Sequence, residues 1–261
     1  MGIIIGFSNH KGGTAKSTTV INTAGVLAER GSRVLVVDLD PQASLSLGFG
    51  VEIADLPEPS LDQVLLHPRK HTIHESILSV RDTIDIIPTN ILLADAGFVL
   101  MGAQARELRL KKALAPIRDN YDYILIDSPP SKSVLTVNVL VASDYLVIPA
   151  ATAFYSGVGV QLLLRSIEEV TYDLHPGLKV LGVLPTRYKT NTVESRESLS
   201  ELQDNLGDDI HIFTSVIRES EPLNKAHRSA ETIVEYDPKH RAAQDYRDFV
   251  TELLKEIANY E

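Results

Sequence analysis

The amino-acid sequence predicts an α/β fold, a mostly parallel twisted sheet with helices on both faces. Three observations carry this. Short runs rich in Val, Ile and Leu alternate with helix-period segments along most of the 261 residues. The runs are continuously apolar, as strands covered on both faces are. A glycine-bearing loop, Lys11-Gly12-Gly13-Thr14, also stands between the first run and the first helical segment. With 44% hydrophobic residues the chain can bury a sizeable core, and one domain over 1–261 is the expected organisation.

Ile3-Ile4-Ile5-Gly6-Phe7 reads as the first strand and 17–30 as the first helix. Val34-Leu35-Val36-Val37 reads as the next strand. Further strands are expected at 84–87, 123–126, 145–148, 180–184 and 210–213, with helices at 92–118, 156–171 and 193–206. Gly48, Gly50, Pro57 and Pro59 mark 48–60 as a loop. Asp237-Pro238 leads into a last helix, 239–259, in which Tyr246, Phe249, Val250, Leu253, Leu254 and Ile257 share a face suited to core packing. Right-handed crossovers between parallel strands bring their C-terminal ends to one edge, where ligands bind.

Composition narrows the function. The sequence has no cysteine, which excludes disulfides, thiolate zinc sites and cysteine-ligated iron–sulfur clusters. No apolar run is long enough to span a membrane, and a strand beginning at Ile3 leaves no secretory leader, so a cytoplasmic location is expected. A net charge of −10 argues against a uniformly basic nucleic-acid binder, though not against a local basic patch. His67, His71 and His74 lack accompanying acids or cysteines and read as solvent-facing.

The loop Lys11-Gly12-Gly13-Thr14-Ala15-Lys16-Ser17-Thr18 has the chemistry of a phosphate cradle. Glycines let backbone N–H groups crowd round phosphate oxygens, and the helix N-terminus adds partial positive charge. Lys16 can reach the β- and γ-phosphates of a nucleotide, and the Ser17 hydroxyl can ligate Mg²⁺. The strict pattern G-x-x-x-x-G-K-[ST] is broken, with His10 at its first glycine and Ala15 at its second. Alanine at position 15 is comfortable at negative φ and strained at positive φ. Acids at strand ends complete such a site: Asp38 and Asp40 follow the second strand, and Asp127 ends Tyr123-Ile124-Leu125-Ile126 before Ser128-Pro129-Pro130-Ser131.

The form K-G-G-x-x-K-[ST], with its extra Lys11, resembles the ParA/MinD family of P-loop ATPases. Asp38-Leu39-Asp40-Pro41-Gln42 resembles that family's first switch, and 121–131 its Walker B strand and second switch. Gly182-Val183-Leu184-Pro185-Thr186-Arg187-Tyr188 and the tail Val234-Glu235-Tyr236-Asp237-Pro238 also resemble family segments. The resemblance implies a P-loop NTPase fold. It assigns Asp40 to the attacking water, Asp127 to Mg²⁺ directly or through water, and Asp38 to support of the magnesium shell. Gly12, Gly13, Thr14, Ala15 and Thr18 join Lys16 and Ser17 around the nucleotide, and Lys11 crosses an ATP-bound homodimer to touch the partner's nucleotide. It further implies nonspecific DNA binding on the nucleoid and a ParB-like adaptor that stimulates hydrolysis and links the dimer to a cargo. The chain resembles a small ParA without an N-terminal helix-turn-helix extension.

Among basic residues, Arg218 best matches the family's DNA-binding surface, and Arg187, Lys189, Arg196, Lys225 and Arg228 lie close by in sequence. Four positions depart from the family: Ala15, Ala153 in place of Glu, Asn191 in place of Arg, and Ile217 in place of Pro. Three alternatives stand beside the ParA reading. A MinD-like membrane ATPase would want a basic last helix, whereas this one carries Asp245, Asp248, Glu252, Glu256 and Glu261. A ligase of the dethiobiotin-synthetase type has no need of Lys11. A nucleotide-gated binding module with negligible turnover is compatible with Ala15.

Overall fold

The computed structural model describes residues 1–152, 157–190, 192–206 and 210–260. Its strands are β1 (Ile3–Phe7), β2 (Val34–Asp38), β3 (Leu78–Arg81), β4 (Ile84–Ile87), β5 (Tyr123–Asp127), β6 (Tyr145–Ala151) and β7 (Lys179–Thr186). They form one sheet in the order β3-β4-β2-β5-β1-β6-β7. All pairings are parallel except β3 with β4. The helices are α1 (Lys16–Glu29), α2 (Ser44–Gly48), α3 (Leu61–Leu66), α4 (Leu92–Leu100), α5 (Arg109–Leu114), α6 (Val134–Ala142), α7 (Gly157–Asp173), α8 (Val193–Leu206), α9 (Glu221–Arg228), α10 (Ile233–Tyr236) and α11 (Arg241–Ala258).

The pleat sorts each strand's residues between two cores. Ile5, Phe7, Val34 and Val36 face α1 and α11, whose Tyr246, Phe249, Val250 and Leu253 are fully buried. Ile4, Leu35 and Val37 face the opposite layer, built with Leu93, Leu110 and Val139 from α4, α5 and α6. A sheet covered on both sides explains why these strands read as unbroken apolar runs. The core packing expected of the last helix is realised, and two of its acids are engaged by other parts of the chain. Asp245 is 5% exposed and takes Arg218 as its partner, while Glu252 accepts the N–H groups of Thr214 and Ser215.

Three local expectations are corrected, and one strand is added. Residues 210–213 form no strand: Ile212 makes a single bridge to Val183, where Phe213 N–H still donates to the Val183 carbonyl, and the N–H groups of Thr214 and Ser215 then turn to Glu252. The long helix expected over 92–118 is split between α4 and α5. The chain breaks at Ala105 (φ +51°), and the Asn138 side chain bonds the Arg106 carbonyl and the Leu110 N–H across the gap. The loop expected over 48–60 starts inside α2 and contains a 3-10 turn, Ile53–Asp55. Finally, β3 had no sequence signal, because Leu78-Ser79-Val80-Arg81 is short and half polar, as suits an antiparallel edge.

Candidate functional site

Three loops meet because three strands are neighbours. β5 lies between β1 and β2, with Asp127 in register with Phe7 on one side and Asp38 on the other. The loop 8–15, the segment after Asp38 and the segment after Asp127 therefore leave the sheet side by side at its C-terminal edge. Hydrogen bonds knit them at once: Leu39 N–H donates to the Asp127 carbonyl at 3.1 Å, and Ser128 N–H to the Phe7 carbonyl at 3.3 Å.

Side chains hold the carbonyls of Lys11, Gly13 and Thr14 in the loop 11–16. Thr14 Oγ1 and Lys16 Nζ both donate to the Lys11 carbonyl at 3.4 Å. Arg187 Nη1 donates to the Gly13 carbonyl at 3.3 Å, and Thr186 Oγ1 to the Thr14 carbonyl at 3.0 Å. The first N–H groups of α1 have no intrahelical partner, which makes this end of the helix suited to an anion. Gly13 sits at φ +75°, where glycine is at ease. Ala15 sits at φ +61° as the residue that starts α1, without a side-chain cap. The strain foreseen for alanine at positive φ is therefore present.

The charged side chains below the loop are buried: Asp38 and Asp127 at 0% exposure, Lys16 at 7% and Asp40 at 8%. Ser17 Oγ donates to Asp127 Oδ2, while Asp127 Oδ1 has no hydrogen-bond partner among the described residues. Burial pushes the Asp127 carboxyl up to about 8, with the Asp38 charge adding to it. Burial also raises Asp38, to about 6, against hydrogen bonds from Ser46 and Asp40. Lys16 is lowered by burial and held up by Asp127 and Asp40. A hydroxyl beside a carboxylate oxygen with no partner, in a pocket with excess buried negative charge, suits a hard oxygen-seeking cation such as Mg²⁺. No group of three or more His, Cys, Asp or Glu capable of holding a metal by themselves occurs among the described residues. The donor set thus fits an ion that brings its own water and phosphate ligands.

Asp38 has a further task that its place in the sequence did not disclose. Its Oδ1 accepts the Asp40 N–H at 3.1 Å, and its Oδ2 accepts both the N–H and the hydroxyl of Ser46 at 2.8 and 2.7 Å. It thereby fixes the turn carrying Asp40, whose own Oδ1 accepts the Gln42 N–H at 3.0 Å. No sequence pattern pointed to Ser46. Lys11 is exposed on the outer rim of the loop, its N–H bonded to Asn9 Oδ1 at 3.0 Å, while Gly12 is exposed beside it.

Of the residues expected to meet DNA, Arg187, Lys189, Arg218 and Lys225 are ion-paired within the chain. Arg187 and Lys189 both pair with Glu219, at 2.7 and 3.3 Å, and Lys225 pairs with Glu221 at 3.0 Å. Arg218 is bound to the buried Asp245. Arg196 and Arg228 are exposed and make no ion pair with a described residue. Of the other three departures, Ile217 is buried, while Ala153 and Asn191 lie outside the described residues. Of the three histidines in 67–74, His67 and His74 are exposed and His71 is half-buried. No helix among the described residues is long and apolar enough to cross a membrane.

A parallel sheet whose central strands present a glycine loop, a lysine and strand-end acids defines the P-loop NTPase class. Residues 2–180 match the AAA domain family, and the chain belongs to it, in its ParA/MinD-type branch. It is 37% identical to the sporulation initiation inhibitor protein Soj of Bacillus subtilis over 258 residues, 99% of each chain. The cobyrinic acid a,c-diamide synthase of Mycobacterium smegmatis, with bound ATP analog and magnesium, superposes with a TM-score of 0.87. The two are 32% identical, over 100% of this chain and 98% of that one. A putative plasmid partition protein of Borrelia burgdorferi, bound to AMPPNP, superposes with a TM-score of 0.80 at 26% identity, over 98% of this chain and 100% of that one.

Two expectations follow from this geometry. Ala15→Gly should leave stability unchanged or raise it by up to about 1 kcal/mol, because relief of left-handed strain offsets the added freedom of the unfolded chain. Denaturant titration checks this, and a decrease greater than about 1 kcal/mol would contradict it. The second concerns pH. Folded Asp127 titrates near 8 against an ordinary 3.8, so between those values the native state holds a proton the unfolded chain has released. Stability of the nucleotide-free protein should therefore be greatest below that window and fall as pH rises through it. Asp127→Asn should flatten the fall and melt higher than the parent at pH 8, and parallel pH profiles of the two proteins would refute this origin.

Proposed function

We propose that this protein is a ParA-type ATPase that binds ATP with Mg²⁺, closes into a homodimer around it, and holds DNA nonspecifically in that state. Hydrolysis, stimulated by a ParB-like adaptor, releases the DNA, and repeated cycles on the nucleoid position a cargo within the cytoplasm. The observation carrying this reading is the division of labour between two lysines on one loop: Lys16 is buried at its base and Lys11 is exposed on its rim. Likeness to Soj and to a plasmid partition protein supports the cellular role.

Within this reading, Lys16 and the loop amides from Gly12 to Ser17 hold the phosphates, and Thr18 borders them at the first turn of α1. Mg²⁺, when bound by Ser17 and Asp127, supplies neutralisation of phosphate charge. Asp38 holds the Asp40 turn in place, and Asp40 orients the attacking water. Lys11 reaches the nucleotide of the second copy and adds positive charge where negative charge builds up, much as an arginine finger does. ATP then joins two subunits, because each nucleotide is contacted from both. An amide-forming ligase is the second reading, favoured by the likeness to the cobyrinic acid a,c-diamide synthase. It predicts ATP turnover that depends on a carboxylate substrate and is indifferent to DNA.

The deciding measurement is ATP-dependent retention of DNA. Asp40→Ala should keep ATP-dependent dimers and DNA retention while turnover drops about 100-fold or more. A variant that hydrolyses ATP at the parental rate would remove Asp40 from the chemistry. For the DNA surface, Arg218→Glu would set two carboxylates against each other, so the informative variant is Arg196→Glu with Arg228→Glu. It should weaken DNA binding and lower the slope of log affinity against log salt by about 1 for each phosphate no longer neutralised, with dimerisation unchanged. An unaltered slope would place the DNA surface elsewhere.

A further inference from the structure

Beside the phosphate loop, on the side away from Asp40 and Asp127, lies a hollow of about 270 Å³. Gly13, Ala15 and Thr18 form one wall, and the segment from Ile217 to Asn224 forms the other. Two of its lining residues are buried, Ile217 at 2% exposure and Tyr246 at 0%. Two charged residues of its lining, Arg187 and Glu219, are exposed and so stand at its rim. In the nucleotide reading above Ser17 and Asp127 hold the metal, and the sheet order puts the end of β7 on the other side of β1 from β5 and β2, so in that reading the nucleoside end of a nucleotide would lead into this hollow.

Arg187 is held there by several constraints at once. It lies at φ +53°, a region costly for a residue with a side chain. Its neighbours tie β7's end to the opposite wall: Tyr188 N–H donates to the Ile217 carbonyl, and Glu219 N–H to the Tyr188 carbonyl, both at 3.0 Å. From this fixed backbone the guanidinium spans two elements. Nη1 donates to the Gly13 carbonyl at 3.3 Å, while Nη2 and Nε donate to Glu219 Oε1 at 2.7 and 3.3 Å. One side chain therefore fastens the wall of the hollow to the phosphate loop.

We infer that the Arg187–Glu219 pair is a latch across the rim of this hollow and sets how fast a nucleotide leaves it. The inference rests on the nucleotide reading above, and makes Arg187 a positioning residue of that site instead of a DNA contact. For a nucleoside to escape sideways, the wall carrying Glu219 must part from the loop carrying Gly13, and Arg187 bonds both. The pair is 47% and 34% exposed, so its contribution is modest and sensitive to salt.

The test is stopped-flow release of the fluorescent probe N-methylanthraniloyl-ADP from the full chain with Mg²⁺. Arg187→Met and Glu219→Gln should each speed release about two- to fivefold, and the double variant no more than either alone. Arg187→Lys should restore part of the parental retention, and added KCl should speed release from the parent but not from the double variant. Melting curves should stay superimposable, which separates a latch from a fold defect. Acceleration by Arg187→Met alone would mean direct contact with the nucleotide and overturn the latch, as would unchanged release in both variants. If the parent protein binds no probe at all, the nucleotide reading itself falls and the latch with it.

Discussion

The placement of β5 between β1 and β2 is the constraint on which the site depends. Parallel pairing in register carries Phe7, Asp127 and Asp38 to one level of the sheet, so three loops distant in sequence emerge as neighbours. Two packed layers enforce that register, because a slip of one residue would exchange every core side chain on these strands for its opposite face. The fully buried residues on both faces, Ile5 and Val36 on one and Leu35 and Ile124 on the other, make such a slip costly. The rest of the molecule refines what this central trio brings together.

Stability and function pull against each other at that point. Two carboxylates with no exposure share a small space with one lysine, and burial drives both toward the protonated state. An uncompensated buried charge is among the more expensive features a fold can carry. Left-handed Ala15 adds backbone strain in the same few ångströms. Such a site is poised to gain from a cation and an anion that bring the missing opposite charges, which couples occupancy of the site to the order of its loops.

Much of this was visible in the chain. Six of the seven strands and the helices 16–29, 157–173, 193–206 and 241–258 follow hydrophobic patterns that local sequence displays. Gly13, Lys16 and Ser17 declare their chemistry by type and spacing, and so do Asp38 and Asp127 as acids at the ends of buried strands. Two of the differences, at 210–213 and at 92–118, arose where a distant partner decided the backbone. Glu252 of α11 drew away the donors that residues 214 and 215 could have offered to β7, and Asn138 of α6 stabilised the break at Ala105. Neither partner lies within the window over which periodicity is read.

The sequence by itself determined the fold class, the phosphate loop and the acids that attend it, because glycine freedom, lysine charge and strand-end placement are local properties. Only the tertiary structure decided the electrostatics and the duties of the basic residues. Arg218 and Arg187 both looked like surface cations; Asp245, buried on α11, claims the first, while Gly13 and Glu219 share the second. The sign of φ at Ala15 was likewise settled by the fold, since the loop's carbonyls are fixed by Thr186 and Arg187, more than 170 residues away in the chain. Charge on a side chain is written in the sequence, but which opposite charge it meets depends on how the chain returns to itself.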